Sequence, residues 1–338
     1  MDLNTVWFLI ISFLFAGYFV LEGFDFGVGI LLPFLGKTDM KRRIIINTIG
    51  PHWDGNEVWL IAAGGSIFAV FPEWYATLFS GFYLPLFLIL IALIFRGVAF
   101  EFRNKSENPS WRSFWDWAIF GGSIVPAILW GVAFSNFVRG VPLDANFNYV
   151  GGFWNLLNGY ALLGGLVSLL LFTLHGAAYL SIKISGELES EAQKVTGKLW
   201  LPLFVAFGGF TIASYSATDF MGNGWNLALA IVMLVLLVTA GWIIRLKKSG
   251  WVFILTTAAV LLFALFFMAG LFPRVLVSGT NPAWSLTIYN TASGDYALRL
   301  MTIVAGIFLP IMLIYNAWTF RVFRKRISEK VKAEELVY

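Results

Sequence analysis

Three short stretches place side chains capable of chemistry inside otherwise apolar sequence. "LEGFDFGVG" (Leu21 to Gly29) carries Glu22 and Asp25; "PHWDGNEVW" (Pro51 to Trp59) carries His52, Asp54, Asn56 and Glu57; "LIFRGVAFEFR" carries Arg96 and Glu101. A spacing of three puts Glu22 and Asp25 on one helical face, and likewise Asp54 and Glu57. An acid at the centre of a membrane helix costs about 2.5 to 3.5 kcal/mol on insertion scales, so a sequence that carries several has partners or a task for them. Two chemistries fit these residue types. One is a structural ion pair in which Arg96 neutralises a carboxylate, and for Arg96 with a single acid this is the simpler reading. The other is a proton path, the sharper expectation for Asp25, Asp54, Glu57, Glu22 and Glu101 together, with Arg96, His52, Asn56 and Trp53 as structural or charge partners.

The elements that must hold these groups follow from composition. Of 338 residues, 59% are hydrophobic and 12% charged, about half the charged fraction of a soluble domain, and the mean hydropathy is +0.79. Apolar runs of bilayer-crossing length occupy Val6 to Leu35, Pro51 to Phe71, Trp74 to Phe100, Phe114 to Val138, Trp154 to Ile182, Leu199 to Tyr215, Trp225 to Ile244, Trp251 to Phe272 and Leu298 to Phe320. The expectation is an all-α polytopic membrane protein with nine transmembrane helices, since runs of this length do not suit a barrel. The first span, with no basic residue before it and no cleavage site after it, is expected to be retained. If the N-terminus is outside, the inner segments hold nineteen Lys and Arg and the outer segments three, Arg139, Arg274 and Arg299. That asymmetry puts the N-terminus outside and the C-terminus in the cytoplasm. The formal charge of +4 therefore reflects topology and contact with anionic lipid, and gives no indication of nucleic acid.

Depth follows from helical rise. Asp25 precedes Gly36, the end of its apolar run, by 11 residues, or roughly 16 Å, near mid-bilayer. Asp54 follows Arg43 by 11 residues and matches that depth if its helix begins at Ile44. If instead Ile44 to Gly50 lies along the surface and Pro51 opens the helix, a position Pro favours, the acids sit nearer the inner mouth. Both geometries line a polar seam open to the inner side.

There is no Cys, which excludes disulfides, Cys-ligated metal and thiol catalysis. His52 and His175 are the two histidines; together they suffice for one haem and not for several, and a lone membrane His is more often hydrogen-bonded structure. No phosphate loop, zinc motif or Ser-His-Asp arrangement is present in a usable context. Residues 1–338 read as a single membrane domain, with approximate halves at 1–183 and 184–338 around the polar connection Ser181 to Lys198. The outer connection from Phe272 to Leu298 reads as a plain ordered connector.

"GFDFGVG", "KRRIIINTIGPHWDGNEVWLIAAGG", "FSGFYLPL", "FRGVAFEFR" and "SGTNPAWSLT" closely resemble subunit II of the bacterial cytochrome bd-type quinol oxidases, over essentially the whole chain and most densely from Gly23 to Arg103. The resemblance implies two four-helix bundles plus one peripheral helix. It also implies a heterodimer in the bacterial cytoplasmic membrane whose haems b and d and quinol site belong to subunit I, with none held by this chain. In that family quinol is oxidised and oxygen reduced to water with cytoplasmic protons. The resemblance matches Asp54 to an acidic position on a proton route and makes Asp25 a second candidate. It leaves room for a small single-helix subunit and a structural quinone or lipid. Glu57 stands where some members have Gln, and Glu101 where some have Asp. The alternative from the residues alone is a proton-coupled secondary transporter, for which broken helices or inverted repeats would speak; the sequence shows neither.

Overall fold

Spans that are apolar on every side must satisfy their backbone groups internally, which helices do. The computed structural model describes residues 2–222, 224–332 and 336–337, and its described residues are helical apart from loops and four very short strands. In chain order these are α1 (Leu3–Leu35), α2 (Asp39–Ile49), α3 (Trp53–Val70), α4 (Pro72–Gly81), α5 (Tyr83–Phe102), α6 (Pro109–Arg139), α7 (Phe153–Leu156), α8 (Gly159–Lys183) and β1 (Ile184–Ser185). There follow α9 (Glu187–Ala217), α10 (Gly224–Arg245), α11 (Ser249–Leu271), β2 (Arg274–Leu276), β3 (Leu286–Thr287), α12 (Asp295–Val322) and β4 (Ile327–Ser328). Among the described residues, eight helices are long and apolar enough to cross a membrane: α1, α5 and its 3-10 extension to Lys105, α6, α8, α9, α10, α11 and α12. The second expected span corresponds to α3, an 18-residue helix whose apolar character is diluted by Asp54, Asn56 and Glu57.

Boundaries differ from the expectation in several places: the run Trp154 to Ile182 is interrupted between α7 and α8, where Asn158 caps the start of α8, and three further differences also have a local reason. The run Trp74 to Phe100 is not one helix: it breaks at Phe82 between α4 and α5, because Pro85 lacks the amide that the Gly81 carbonyl would accept from and its ring crowds that carbonyl. Neither expected start of the second span holds. The chain turns over Gly50 to His52 and α3 starts at Trp53, since Pro51 has no amide for the Asn47 carbonyl. The preceding segment is not a surface strip either, as Ile44 to Ile49 are buried in α2. Finally, α9 starts at Glu187, well before Leu199. Glu187 and Glu189 suit a helix N-terminus and are tied by Lys41 (2.7 Å) and Arg326 (2.6 Å).

α1 is buried on all sides along most of its length, as a helix apolar around its circumference should be. On one side it meets α3 and α6, with α5 packed on α6; on the other it meets α8 and α11, with α9 and α10 completing that group. α12 lies outside, against α3 and α1, and is almost wholly exposed. The α1–α8 crossing is a glycine contact: a Cβ on Gly27 would stand 2.1 Å from the Phe172 carbonyl oxygen and 2.8 Å from the Gly176 Cα. Small residues substitute for a hydrophobic driving force between membrane helices, and here they face α8 so that the acids of the same stretch face elsewhere.

The Phe272–Leu298 connection is more than a connector. β2 and β3 pair antiparallel, with Arg274 opposite Thr287 and Leu276 opposite Leu286. The Val141 amide donates to the Val277 carbonyl (3.0 Å) and the Gly279 amide to the Val141 carbonyl (2.9 Å). At the opposite end, β1 pairs in parallel with β4 and fastens the C-terminal tail to the α8–α9 turn.

Candidate functional site

The acids of α1 meet their partners because two helix approaches are unusually close. A Cβ on Gly122 of α6 would stand 2.5 Å from the Ala92 carbonyl oxygen and 2.6 Å from the Arg96 Cβ, so glycine there lets α5 seat Arg96 deep in the bundle, where it is fully buried. The Arg96 guanidinium donates from Nη2 to both carboxylate oxygens of Glu22, with Oε2 at 2.9 Å, and to Oε1 of Glu57 at 2.7 Å. It lies over the Phe26 ring, 4.9 Å from the centroid, which adds a cation–π contact on the apolar side. One turn along α1, Asp25 accepts at Oδ2 from the Asn56 amide at 2.7 Å. Glu22, Asp25 and Asn56 are buried and Glu57 is partly exposed.

One guanidinium thus pairs with two carboxylates, and a third, Asp25, lies one turn away on α1 with an amide as its partner. Oδ1 of Asp25, Oδ1 of Asn56, and Nε and Nη1 of Arg96 are buried without a partner among the described residues. A buried group without a hydrogen-bond partner is costly, so this is a site with spare donor and acceptor capacity. Chemically it can hold and hand on hydrogen ions, or position water.

Of the residues singled out from sequence, Glu22, Asp25, Asn56, Glu57 and Arg96 come together. Asp54 does not join them, although it shares the spacing of Glu57. With α3 starting at Trp53 it falls in the first turn, exposed, and its carboxylate accepts from the Gly55 amide (2.7 Å). That is a place where a helix N-terminus favours an acid. Glu101 is exposed near the end of α5. Trp53 packs on Phe100, ring centroids 5.3 Å apart. His52 is buried and stacked on Phe320 at 4.3 Å, with neither ring nitrogen bonded among the described residues.

The two histidines do not fit a shared haem. His175 has both ring nitrogens engaged, Nδ1 with the Thr256 hydroxyl (2.9 Å) and Nε2 with the Val20 carbonyl (3.1 Å), and the His52 ring is covered by Phe320. Among the described residues no group of three or more His, Asp or Glu is arranged to hold a metal ion.

Sequence reasoning misses a second charged centre. Asp116 in α6 accepts from Arg103 Nε (2.6 Å) and Arg42 Nη1 (2.8 Å), and Asp39 in α2 accepts from Arg103 Nη2 (2.7 Å) and Arg112 Nη1 (2.9 Å). Asp116 and Arg103 are buried. The available signal is Asp116 itself, a lone acid among aromatics in "SFWDWAIF"; from sequence the arginines speak only as topological charge.

The family model for cytochrome bd terminal oxidase subunit II matches residues 3–323. A Bacillus subtilis (strain 168) protein, cytochrome bd ubiquinol oxidase subunit 2, is 42% identical over 331 residues, covering 97% of this chain and 98% of that one. Cytochrome bd-I ubiquinol oxidase subunit 2 of Escherichia coli (strain K12) is 36% identical over 366 residues, covering 97% and 96%. A chain of the solved bd oxidase from Geobacillus thermodenitrificans superimposes with a TM-score of 0.65 at 14% identity, covering 96% of this chain and 98% of that chain. At that identity the likeness speaks to the fold alone.

Proposed function

From its membership of the cytochrome bd terminal oxidase subunit II family, which makes the chain a multi-pass subunit of an oxidoreductase in the bacterial cytoplasmic membrane, we propose its role within that complex. The family implies haems in the complex and a partner subunit I. In our reading this chain is the haem-free partner: it stabilises the haem-bearing subunit as a heterodimer and lends it a path for cytoplasmic protons, while quinol oxidation and oxygen reduction take place next door. A small single-helix subunit fits the same assembly.

We place nine spans in the membrane, with α3 as the ninth, in two four-helix groups (α1, α3, α4–α5, α6 and α8 to α11) and α12 outside. The basic side is assigned to the cytoplasm. Supporting this, the ion pairs Lys41–Glu187, Arg103–Asp39 and Arg326–Glu189 join segments that all lie on the side carrying most of the Lys and Arg.

The observation that carries the proton role is the buried surplus of acid around one cation. Two carboxylates paired with Arg96 and a third, Asp25, one turn along α1 leave a negative excess that uptake of hydrogen ions would balance in a low-dielectric interior, and Asp25 keeps one oxygen without a donor among the described residues. Glu57, partly exposed, and Asp54, exposed, lie toward the entrance of such a path. Family membership, and not helix continuity, separates this reading from a proton-coupled transporter: the chain is in fact broken at Gly50–His52 and at Phe82.

The test is Asp25→Asn in the purified complex, a change that keeps shape and removes the titratable group. Oxygen consumption and coupled proton uptake should fall about tenfold or more, a barrier increase of about 1.4 kcal/mol, with haem content retained. Asp54→Asn should give a smaller decrease. Unchanged proton uptake in both variants would remove the proton role.

A further inference from the structure

Between α1, α8, α11 and α12, at the basic side of the molecule, lies a cavity of about 350 Å³ lined by Phe24, Tyr179, Phe253, Phe320, Lys183 and Arg324 among others. Its body is aromatic: Phe24 stacks on Tyr179 at 4.2 Å and meets Phe320 at 6.2 Å edge-on. The polar groups of these walls are mostly spent. The Tyr179 hydroxyl donates to the Thr48 carbonyl (2.9 Å), and Thr257, also lining the cavity, donates to the Phe253 carbonyl (2.8 Å).

The two cations are the exception. Lys183 is 8% exposed, and its ammonium donates to the Phe323 carbonyl, with no carboxylate within salt-bridge distance among the described residues. Arg324, just beyond α12, is exposed and has no ion-pair partner among them either. The described acids around this end of α8 and α9 are committed elsewhere. Glu187 pairs with Lys41 and Glu189 with Arg326, while Glu329 accepts from the amides of Glu187 and Leu188. A buried ammonium with a single carbonyl partner is expensive unless an anion completes its shell.

We propose that this cavity is a binding site for an anionic phospholipid of the leaflet on the basic side, its phosphate held between Lys183 and Arg324 and part of an acyl chain laid along Phe24, Phe253 and Phe320. The arrangement matches the demands of such a ligand: cations at the mouth, on the side where the leaflet is anionic, and an apolar trough leading toward the bilayer interior. The bound lipid would also fasten α12, which has little contact area of its own, to the α1–α8–α11 face. This inference is independent of the proton role and fails or stands separately from it.

The experiment uses the intact purified complex, delipidated and titrated with phosphatidylglycerol while native mass spectrometry counts retained lipid. Lys183→Gln and Arg324→Gln should each weaken retention of one phosphatidylglycerol by about fivefold or more, and the double variant should lose it. Arg321→Gln, a neighbouring basic residue outside the cavity, should change nothing. Phosphatidylcholine and inorganic phosphate should not displace the retained molecule. Equal retention by wild type and the double variant would overturn the proposal, as would equal binding of phosphatidylcholine or displacement by free phosphate. Should Lys183→Gln fail to assemble, Arg324→Glu at its exposed position tests the same contact by charge reversal: it should abolish retention, and wild-type retention would sink the assignment.

Discussion

The two charged centres of this chain, one around Arg96 and one around Arg103, are built from the same residue types with opposite arithmetic. Around Arg103, three arginines enclose two aspartates, and both oxygens of Asp116 and of Asp39 accept from a guanidinium. Around Arg96, one arginine pairs with two carboxylates beside a third, and Asp25, Asn56 and Arg96 itself retain polar atoms without a partner among the described residues. A closed network holds its members in one arrangement; an open one keeps capacity for exchange. The difference teaches that buried charge in this protein is arranged in two ways, balanced at the basic rim, where it joins α2, α6 and the end of α5, and acid-rich deeper in the bundle.

That contrast can be broken or sharpened by mutation. The largest effect is expected from Arg96→Met, which strands Glu22 and Glu57 without a cation. It should cost about 3 to 5 kcal/mol, seen as loss of assembled, haem-loaded complex on purification. A well-assembled Arg96→Met complex would mean that the embedded acids are not held by charge at all. Next comes Asp116→Asn at the closed centre, expected to cost about 1.5 to 3 kcal/mol through weakened charge-assisted hydrogen bonds. It should lower the Tm of the complex, while proton uptake per assembled complex stays normal. Loss of uptake at unchanged Tm would erase the distinction between the two centres.

The smallest effect belongs to an outer, largely exposed pair that serves as a control. Arg274 donates to both oxygens of Asp219 (2.6 and 2.8 Å), and its hydrogen bonds hold the Asp219 carboxyl below the usual carboxylate range. A lowered folded value means that the pair's contribution is complete above the unfolded pKa, about 3.9, and is lost as pH falls through the folded value. Arg274→Gln should therefore cost only about 0.2 to 1 kcal/mol at neutral pH. The Tm difference from wild type should shrink as pH falls from 5 toward 3. A difference that grows in that range would reverse the assigned sign.

Much of the fold was legible because apolar run length and Lys/Arg asymmetry are properties of the chain itself. They gave the helical class and most span positions. What they could not give were the breaks at Gly50–His52 and Phe82 and the early start of α9, where proline chemistry and ion pairs to distant segments decide. Glu22, Asp25, Glu57, Asn56 and Arg96 stood out from sequence because polar groups in a hydrocarbon run are costly wherever they end up. Asp54 stood out equally and yet lies outside the cluster, since a spacing of three fixes the face and not the depth: α3 starts at Trp53, which leaves Asp54 in its exposed first turn, one turn short of Glu57.

Sequence alone therefore determined that this chain crosses a membrane as helices and that it carries acid where acid is expensive, because transfer cost and helical periodicity act on each residue locally. Only the tertiary structure decided which acids meet Arg96, that Asp116 closes a second network with Arg42 and Arg103, and that Lys183 is left without a carboxylate among the described residues. Those pairings depend on helices distant in sequence approaching through Gly27, Gly122 and Gly176, and the distance between two side chains is fixed by packing, which no single stretch of sequence contains.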